Sequence, residues 1–244
     1  MKKEVLVLLY HNIVDTSKDL SLYDVGLDNF KNQLEFLHEY KFSHFIVSAY
    51  KDYKKNREIL LTFDDGYASW EEVVLPLLKN FDIKAFFFIC IKHMKEGRIS
   101  KNQIHNLKKE GMNIGSHLMT HRFLHKLSKE EIFYELKESK KILEDIIQDE
   151  IKYFSVPGGL YNPSVIEIAK MVGYQNIFTS DVGININPDY IFKRIPIKRK
   201  TTLKEFKSII EGKGIFKKIL SQKSKNIAKV MSVSYTHLTL PTKA

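Results

Sequence analysis

The apolar run Leu60-Leu61-Thr62-Phe63 ends abruptly in Asp64-Asp65-Gly66-Tyr67, and few folds tolerate such a junction. A short β-prone run of this kind reads as a buried strand. Two carboxylates at its end are costly unless their charge is compensated. The glycine then lets the chain turn away, so paired acids stand where a core strand opens into a loop. Farther along, Ser116-His117-Leu118-Met119-Thr120-His121 follows another short apolar run and carries two imidazoles four residues apart.

The remaining chain alternates strand-like and helix-like segments. Strands are expected at 5–10, 45–48, 58–63, 84–91, 112–116, 152–156, 175–180 and 191–197. Amphipathic helices are expected at 27–40, with Phe30, Leu34 and Leu37 on one face, and at 70–81, where Pro76 should kink or divide the helix. Further helices are expected at 100–109 and from the capping box Ser128/Glu131 to about Ile147. Asn162 caps another, with Pro163 at its first position and Gly173 past its end, and Thr202/Glu205 precede a helix over 206–211. Repeated β-then-α units imply a parallel sheet covered by helices, and seven or eight strands favour closure into a barrel. Residues 1–212 are expected to form this one domain, and 213–232 a basic C-terminal helix. Residues 233–244 break the lysine-rich style of the chain and resemble a translated adapter sequence, so that the native sequence would break off near Met231.

The 244 residues carry a formal charge of +10, yet only five of the 39 basic residues are arginine: Arg57, Arg98, Arg122, Arg194 and Arg199. Without arginine–aromatic clusters, a nucleic-acid partner is not expected. The charge is compatible with an anionic glycan or with peripheral contact to a membrane surface. No apolar stretch reaches the roughly 18 residues of a membrane span. The N-terminal run mimics a signal peptide only weakly, being short, interrupted by Glu4 and without a small-residue cleavage site, so a cytoplasmic location is expected. The single cysteine, Cys90, cannot form an intrachain disulfide and is expected in the core, on a strand. The oligomeric state is not legible here.

In a parallel barrel the downstream strand ends share one face. That face would collect His11, Asp64, Asp65, His117, the Pro157-Gly158-Gly159 turn and Asp181. If they lie on a helical turn, His117 and His121 share a face and can bind one ion. A carboxylate completes a three-donor set with positions left open, as in catalytic zinc sites. Such an ion lowers the pKa of bound water toward roughly 7, and the second aspartate is then free to act as base. His11 is a natural general acid for a leaving amine. A two-histidine, one-carboxylate set also fits a non-haem iron oxygenase, but the second aspartate and the βα alternation argue against it.

These motifs together resemble the polysaccharide deacetylase family (carbohydrate esterase family 4). Thr62-Phe63-Asp64-Asp65-Gly66-Tyr67 and Ser116-His117-Leu118-Met119-Thr120-His121 carry the resemblance, and Phe154 to Asn162 is similar to the family's third motif. Leu9-Tyr10-His11-Asn12 resembles the circularly permuted branch typified by poly-N-acetylglucosamine deacetylases, whose acid histidine lies near the N-terminus. The resemblance implies a distorted (β/α)₇ barrel and a metal-dependent hydrolase of carbon–nitrogen bonds other than peptide bonds, removing N-acetyl groups from an N-acetylated glycan. It implies Asp64 as base, His11 as acid, and Asp65, His117 and His121 as ligands of Zn²⁺ or of Co²⁺, Ni²⁺ or Mn²⁺. The backbone N–H of Tyr67 would steady the oxyanion. Pro157, Gly158, Gly159 and Asp181 are expected at the substrate. Trp70 and Phe123 read as core residues, with sugar stacking as the alternative. The chain departs from the family in one place: Ser155-Val156-Pro157 lacks the arginine that orients the base. Lys193-Arg194 reads as a solvated strand end. Hydrolysis of another linear or cyclic amide, or silent glycan binding, are the alternative readings.

Overall fold

The computed structural model describes residues 3–15, 21–39, 43–45, 48–52, 57–96, 98–215 and 218–219. In chain order the elements are β1 (Glu4–Tyr10), β2 (Asn12–Val14), β3 (Asp24–Gly26), α1 (Leu27–Glu39), β4 (Ser43–Phe45), β5 (Ser48–Asp52), β6 (Arg57–Asp64), α2 (Leu75–Asn80), β7 (Ala85–Ile89), α3 (Ile91–Lys95), α4 (Lys101–Lys109), β8 (Asn113–Ser116), α5 (Lys129–Ile147), β9 (Tyr153–Ser155), α6 (Pro163–Val172), β10 (Asn176–Phe178), β11 (Asn185–Ile186), β12 (Ile191–Phe192), β13 (Ile195–Pro196) and α7 (Leu203–Ile210).

Parallel ladders join β1, β6, β7, β8, β9, β10 and β12 in that spatial order. After β12 the chain passes through Lys193 and Arg194 into β13, which pairs parallel with β1. The sheet is therefore a nearly closed barrel, distorted where Lys193 and Arg194 interrupt the expected 191–197 strand. That interruption becomes important at the active face. The antiparallel additions are β11 on β1 and the β4–β5 pair on β6.

Side chains alternate across each strand, and this places two cores. Val5, Val7, Leu60, Phe86, Phe88 and Phe178 fill the barrel. The opposite set, including Leu6, Leu8, Tyr10, Leu61, Phe63, Phe87 and Ile89, packs with Phe30, Leu34 and Leu37 of α1 and with apolar residues of the other helices. Rings of Tyr10, Phe63 and Phe87 stack along this outer layer at 5.3 and 5.0 Å. Burial of each such side chain contributes about 1.5–3 kcal/mol. The interior leaves no spare room at Gly115, where a Cβ would lie 2.5 Å from the Phe88 ring.

Local signals place most helix ends. Ser100 and Ser128 close reciprocal capping boxes with Gln103 and Glu131, and Asn162 caps α6 ahead of Pro163. The 70–81 segment divides just ahead of Pro76: a π-type turn over Trp70–Val74 leads into α2, and Leu75 N–H donates to the Trp70 carbonyl. Three expectations need correction. Phe45 and Ser48 belong to separate, antiparallel strands. Cys90 is buried, as expected, but follows β7 and precedes α3 instead of lying on a strand. The last helix begins at Leu203, because Thr202 accepts from Glu205 N–H and sets its start. Tyr40, Met1, most of 213–232 and all of 233–244 lie outside the described residues, so the C-terminal expectations are not addressed.

Candidate active site

β6 keeps its alternation to its last residue. Asp64 shares parity with Leu60 and Thr62, so it faces the barrel mouth, where it is buried. Asp65 follows with φ +90° and Gly66 with φ +91°, which turns the chain off the strand. A left-handed backbone is costly for a non-glycine residue, of order 1–3 kcal/mol. It is held here because Asp65 N–H donates to the Phe88 carbonyl at 3.1 Å and the Asp65 carbonyl accepts from His93 Nδ1 at 2.8 Å.

The two histidines do not share a helical turn, as the sequence had suggested. Residues 117–121 form an irregular loop after β8, with Leu118 at φ 71° and His121 at φ 61°. The loop still brings the rings together, with centroids 4.9 Å apart. His117 Nδ1–H donates to the Ser155 carbonyl at 2.8 Å, which leaves Nε2 free to face the acids. His117 Nε2 lies 3.4 Å and His121 Nε2 3.1 Å from the same oxygen, Asp65 Oδ1. One donor atom from each of Asp65, His117 and His121 lies within 4.8 Å of the other two. Burial would raise the Asp65 pKa, yet hydrogen bonds from His117 and His121 hold it far below the carboxylate range. His117 moves the other way: burial would lower it, but Asp64 and Asp65 push it up. The cluster thus draws positive charge to one point, and its nitrogen and oxygen donors suit a borderline divalent ion such as zinc.

Arg194 corrects the sequence reading. It is not solvated but completely buried, and it supplies the guanidinium that the third motif lacks. Nη1 donates to Asp64 Oδ1 at 2.8 Å and Nη2 to Oδ2 at 2.7 Å, while Ser155 Oγ donates to Oδ2 at 3.0 Å. Arg194 Nε donates to the Thr179 carbonyl at 2.8 Å, and its guanidinium lies 5.8 Å from the Phe88 ring centroid. Burial alone would raise the Asp64 pKa, but Arg194 and His117 outweigh it and keep the carboxylate ionised. One signal in the sequence hinted at this residue. In a chain so biased to lysine, an arginine marks a place where the planar fork matters.

His11 follows β1 on the same rim. Its carbonyl accepts from Trp70 Nε1–H at 2.7 Å, and its ring packs against Tyr23 with centroids 4.6 Å apart and planes tilted by 37°. Its Nδ1 is buried without a hydrogen-bond partner. Burial lowers the His11 pKa against the pull of Asp64 and Asp65. Trp70 is fully buried, so it is a core residue that anchors the His11 backbone. Phe123, by contrast, is 46% exposed and does not belong to the core.

These residues surround a cavity of about 600 Å³ lined by His11, Asp64, Asp65, Tyr67, His117 and His121 at one side, and by Tyr23, Phe123, Gly158 and Lys198 among others. Of the third motif only Gly158 lines it; a Cβ there would meet the Phe123 ring at 2.5 Å. Pro157 and Gly159 are buried behind it. Asp181 is also set back: it accepts from Tyr161 Oη–H at 3.1 Å, and its carbonyl accepts from Arg194 N–H at 2.9 Å. Its position therefore bears on Arg194.

Residues 51–177 match the family profile described as polysaccharide deacetylase. The chain belongs to the polysaccharide deacetylase family. Among relatives, it is 28% identical over 208 residues to a poly-β-1,6-N-acetyl-D-glucosamine N-deacetylase of Staphylococcus aureus, covering 75% of this chain and 70% of that protein. It is 33% identical over 125 residues to a peptidoglycan-N-acetylglucosamine deacetylase of Bacillus cereus, covering 50% and 56%. The chain spans 64% and 46% of the length of two further curated relatives, from Bacillus subtilis and Geobacillus stearothermophilus. Its fold is that of the Streptococcus pyogenes deacetylase PplD, solved with acetate (TM-score 0.75, 23% identity, 86% of this chain and 98% of that one). IcaB from Ammonifex degensii shares it as well (TM-score 0.72, 20% identity, 87% and 97%). As in these solved structures, the strands form a barrel-like sheet. Among the described residues no helix is long and apolar enough to cross a membrane.

Proposed function

We propose that this chain is a metal-dependent N-deacetylase that hydrolyses the acetamido group of N-acetylhexosamine units in a glycan, releasing acetate and a free amine. The observation that carries the reading is the meeting of Asp65, His117 and His121 beside the ionised Asp64. Asp65, His117 and His121 would hold the ion, zinc or alternatively Co²⁺, Ni²⁺ or Mn²⁺. When bound, it supplies a Lewis acid for the carbonyl oxygen and makes water more acidic.

The residues of the chain then have distinct tasks. Asp64, fixed by Arg194, accepts the proton of the attacking water. The Tyr67 N–H donates to the developing oxyanion. His11 delivers a proton to the departing nitrogen as the carbon–nitrogen bond breaks. Gly158 lets the Phe123 ring pack directly on its backbone, and that exposed ring offers an apolar face for stacking on a sugar. Asp181, Pro157 and Gly159 act on substrate only through the parts they support.

The buried Arg194–Asp64 pair supports a catalytic reading over a silent glycan binder, which rested on a missing arginine. The test is acetate release by zinc-loaded protein from β-1,6- and β-1,4-linked N-acetylglucosamine oligomers, with small cyclic imides and linear amides alongside. Acetate from the oligomers is expected. Turnover of imides alone, or none by protein with one zinc bound, would overturn the proposal.

A further inference from the structure

The loop that carries the two histidines is not a shape its sequence prefers. Leu118 and His121 are both non-glycine residues in left-handed backbone. Something must therefore hold it. One side is held by α3, where Ile91 and Lys92 N–H donate to the Leu118 and Met119 carbonyls at 3.1 and 2.8 Å. The other side rests on α5, and there chiefly on one side chain. Glu135 Oε2 accepts from Met119 N–H and Thr120 N–H, both at 3.0 Å, and Oε1 accepts from the Thr120 hydroxyl.

Glu135 is 2% exposed, on the same buried face of α5 as Ile132, Leu136 and Leu143. An apolar residue would fit that face without the desolvation cost of a carboxylate. Among the described residues no cation lies within ion-pairing distance of Glu135. Its compensation comes from the loop alone, and among the described residues Met119 N–H and Thr120 N–H have no other acceptor. A second link runs between the same two elements. Leu118 N–H donates to Ser116 Oγ at 3.2 Å, Ser116 Oγ and Ser139 Oγ are 2.7 Å apart, and Ser139 Oγ donates to the Glu135 carbonyl at 2.7 Å.

We infer that Glu135 is a positioning residue for the histidine pair: from α5 it sets the shape of the loop that brings His117 and His121 nitrogens to Asp65. The inference rests on the metal-binding reading above. It assigns Glu135 no contact with substrate. Groups that hold ligands in place commonly change metal affinity by about 10–100-fold when removed.

The test uses the full chain with zinc and cobalt(II) as probes. Zinc affinity is measured by competition with a chelator, and cobalt geometry by the visible absorption of the loaded protein. Glu135→Ala is expected to bind zinc at least about 10-fold more weakly and to alter the cobalt spectrum. Glu135→Asp keeps the charge but is one methylene short, and it should show the same loss. It carries the test if the alanine variant does not fold. Glu135→Gln retains the reach and an oxygen acceptor, so it should restore most of the affinity and a wild-type spectrum. Unchanged affinity and spectrum in Glu135→Asp would overturn the inference. So would a glutamine variant as weak as the aspartate one, because charge rather than reach would then be responsible. Wild-type protein that binds neither ion would instead overturn the metal-binding reading itself.

Discussion

Arg194 and Asp64 are 130 positions apart in the chain, yet their side chains meet in two parallel hydrogen bonds of 2.8 and 2.7 Å, with Arg194 fully buried and Asp64 nearly so at the floor of the cavity. A bidentate pair of this kind fixes the carboxylate plane as well as its charge. It also means that each partner depends on the other, since a buried charge left alone is far costlier than the pair.

Arg194→Met should therefore destabilise the protein by about 3–5 kcal/mol, because Asp64 remains buried without its counter-ion. Arg194→Lys keeps the charge but loses the fork, and should fall between methionine and wild type. Urea unfolding at neutral pH checks both. If the methionine variant unfolds at the wild-type midpoint, the pair does not hold the site together.

Base and ligand roles separate by metal content. Asp64→Asn should lower acetate release by at least about 10²-fold while retaining zinc. His117→Ala should lose both zinc and turnover. Elemental analysis beside the acetate assay distinguishes them, and turnover by a zinc-loaded Asp64→Asn protein near the wild-type rate would reject Asp64 as the base.

Removing the ion from wild-type protein with a chelator should abolish turnover, and zinc should restore it. Zinc at about 100 times its Kd should stabilise the fold by about 2.7 kcal/mol, read as a rise in Tm. No shift in Tm under saturating zinc would count against Asp65, His117 and His121 as ligands.

His11 makes stability depend on pH. Burial lowers its pKa below the ordinary histidine value, so between the two values the unfolded chain binds a proton that the folded chain does not. Stability from this site is fully present above about pH 6.5 and is lost as pH falls through the folded value. His11→Phe has nothing to titrate there. Between about pH 7.5 and pH 5 the metal-free wild type should lose more stability than His11→Phe in paired denaturation curves. Parallel curves would show that folding leaves the His11 pKa unshifted.

Two glycines separate backbone strain from steric conflict. At Gly173 (φ +94°) an added Cβ meets nothing within 4 Å, whereas at Gly159 (φ +69°) it would lie 2.3 Å from Ser180 Cβ. Gly173→Ala should cost about 1 kcal/mol from backbone alone, and Gly159→Ala about 1–3 kcal/mol more from overpacking. Equal losses in thermal unfolding would mean that the 158–159 turn yields freely.

Much of the architecture was legible in short stretches of the chain. Capping boxes at Ser100 and Ser128, the Asn162-Pro163 start of α6 and the Pro76 break are all local effects, decided within a turn of helix. The paired acids and the His117/His121 spacing likewise announced a metal-compatible rim, because strand ends of a parallel barrel gather on one side. That spacing works here without a helical turn: Leu118 and His121 take left-handed backbone in a loop that α3 and α5 bind from both sides. Trp70 and Phe123 were alike in sequence, yet one anchors His11 from the core and the other lies open at the cavity. Arg194 shows the limit most clearly. It stands between β12 and β13 beside an exposed-looking lysine, and only the return of β13 to β1 carries it inside the barrel to Asp64. Periodicity and caps act over a few residues and can be read from their order. Pairing a charge with its distant partner depends on how the barrel closes, which no local pattern encodes.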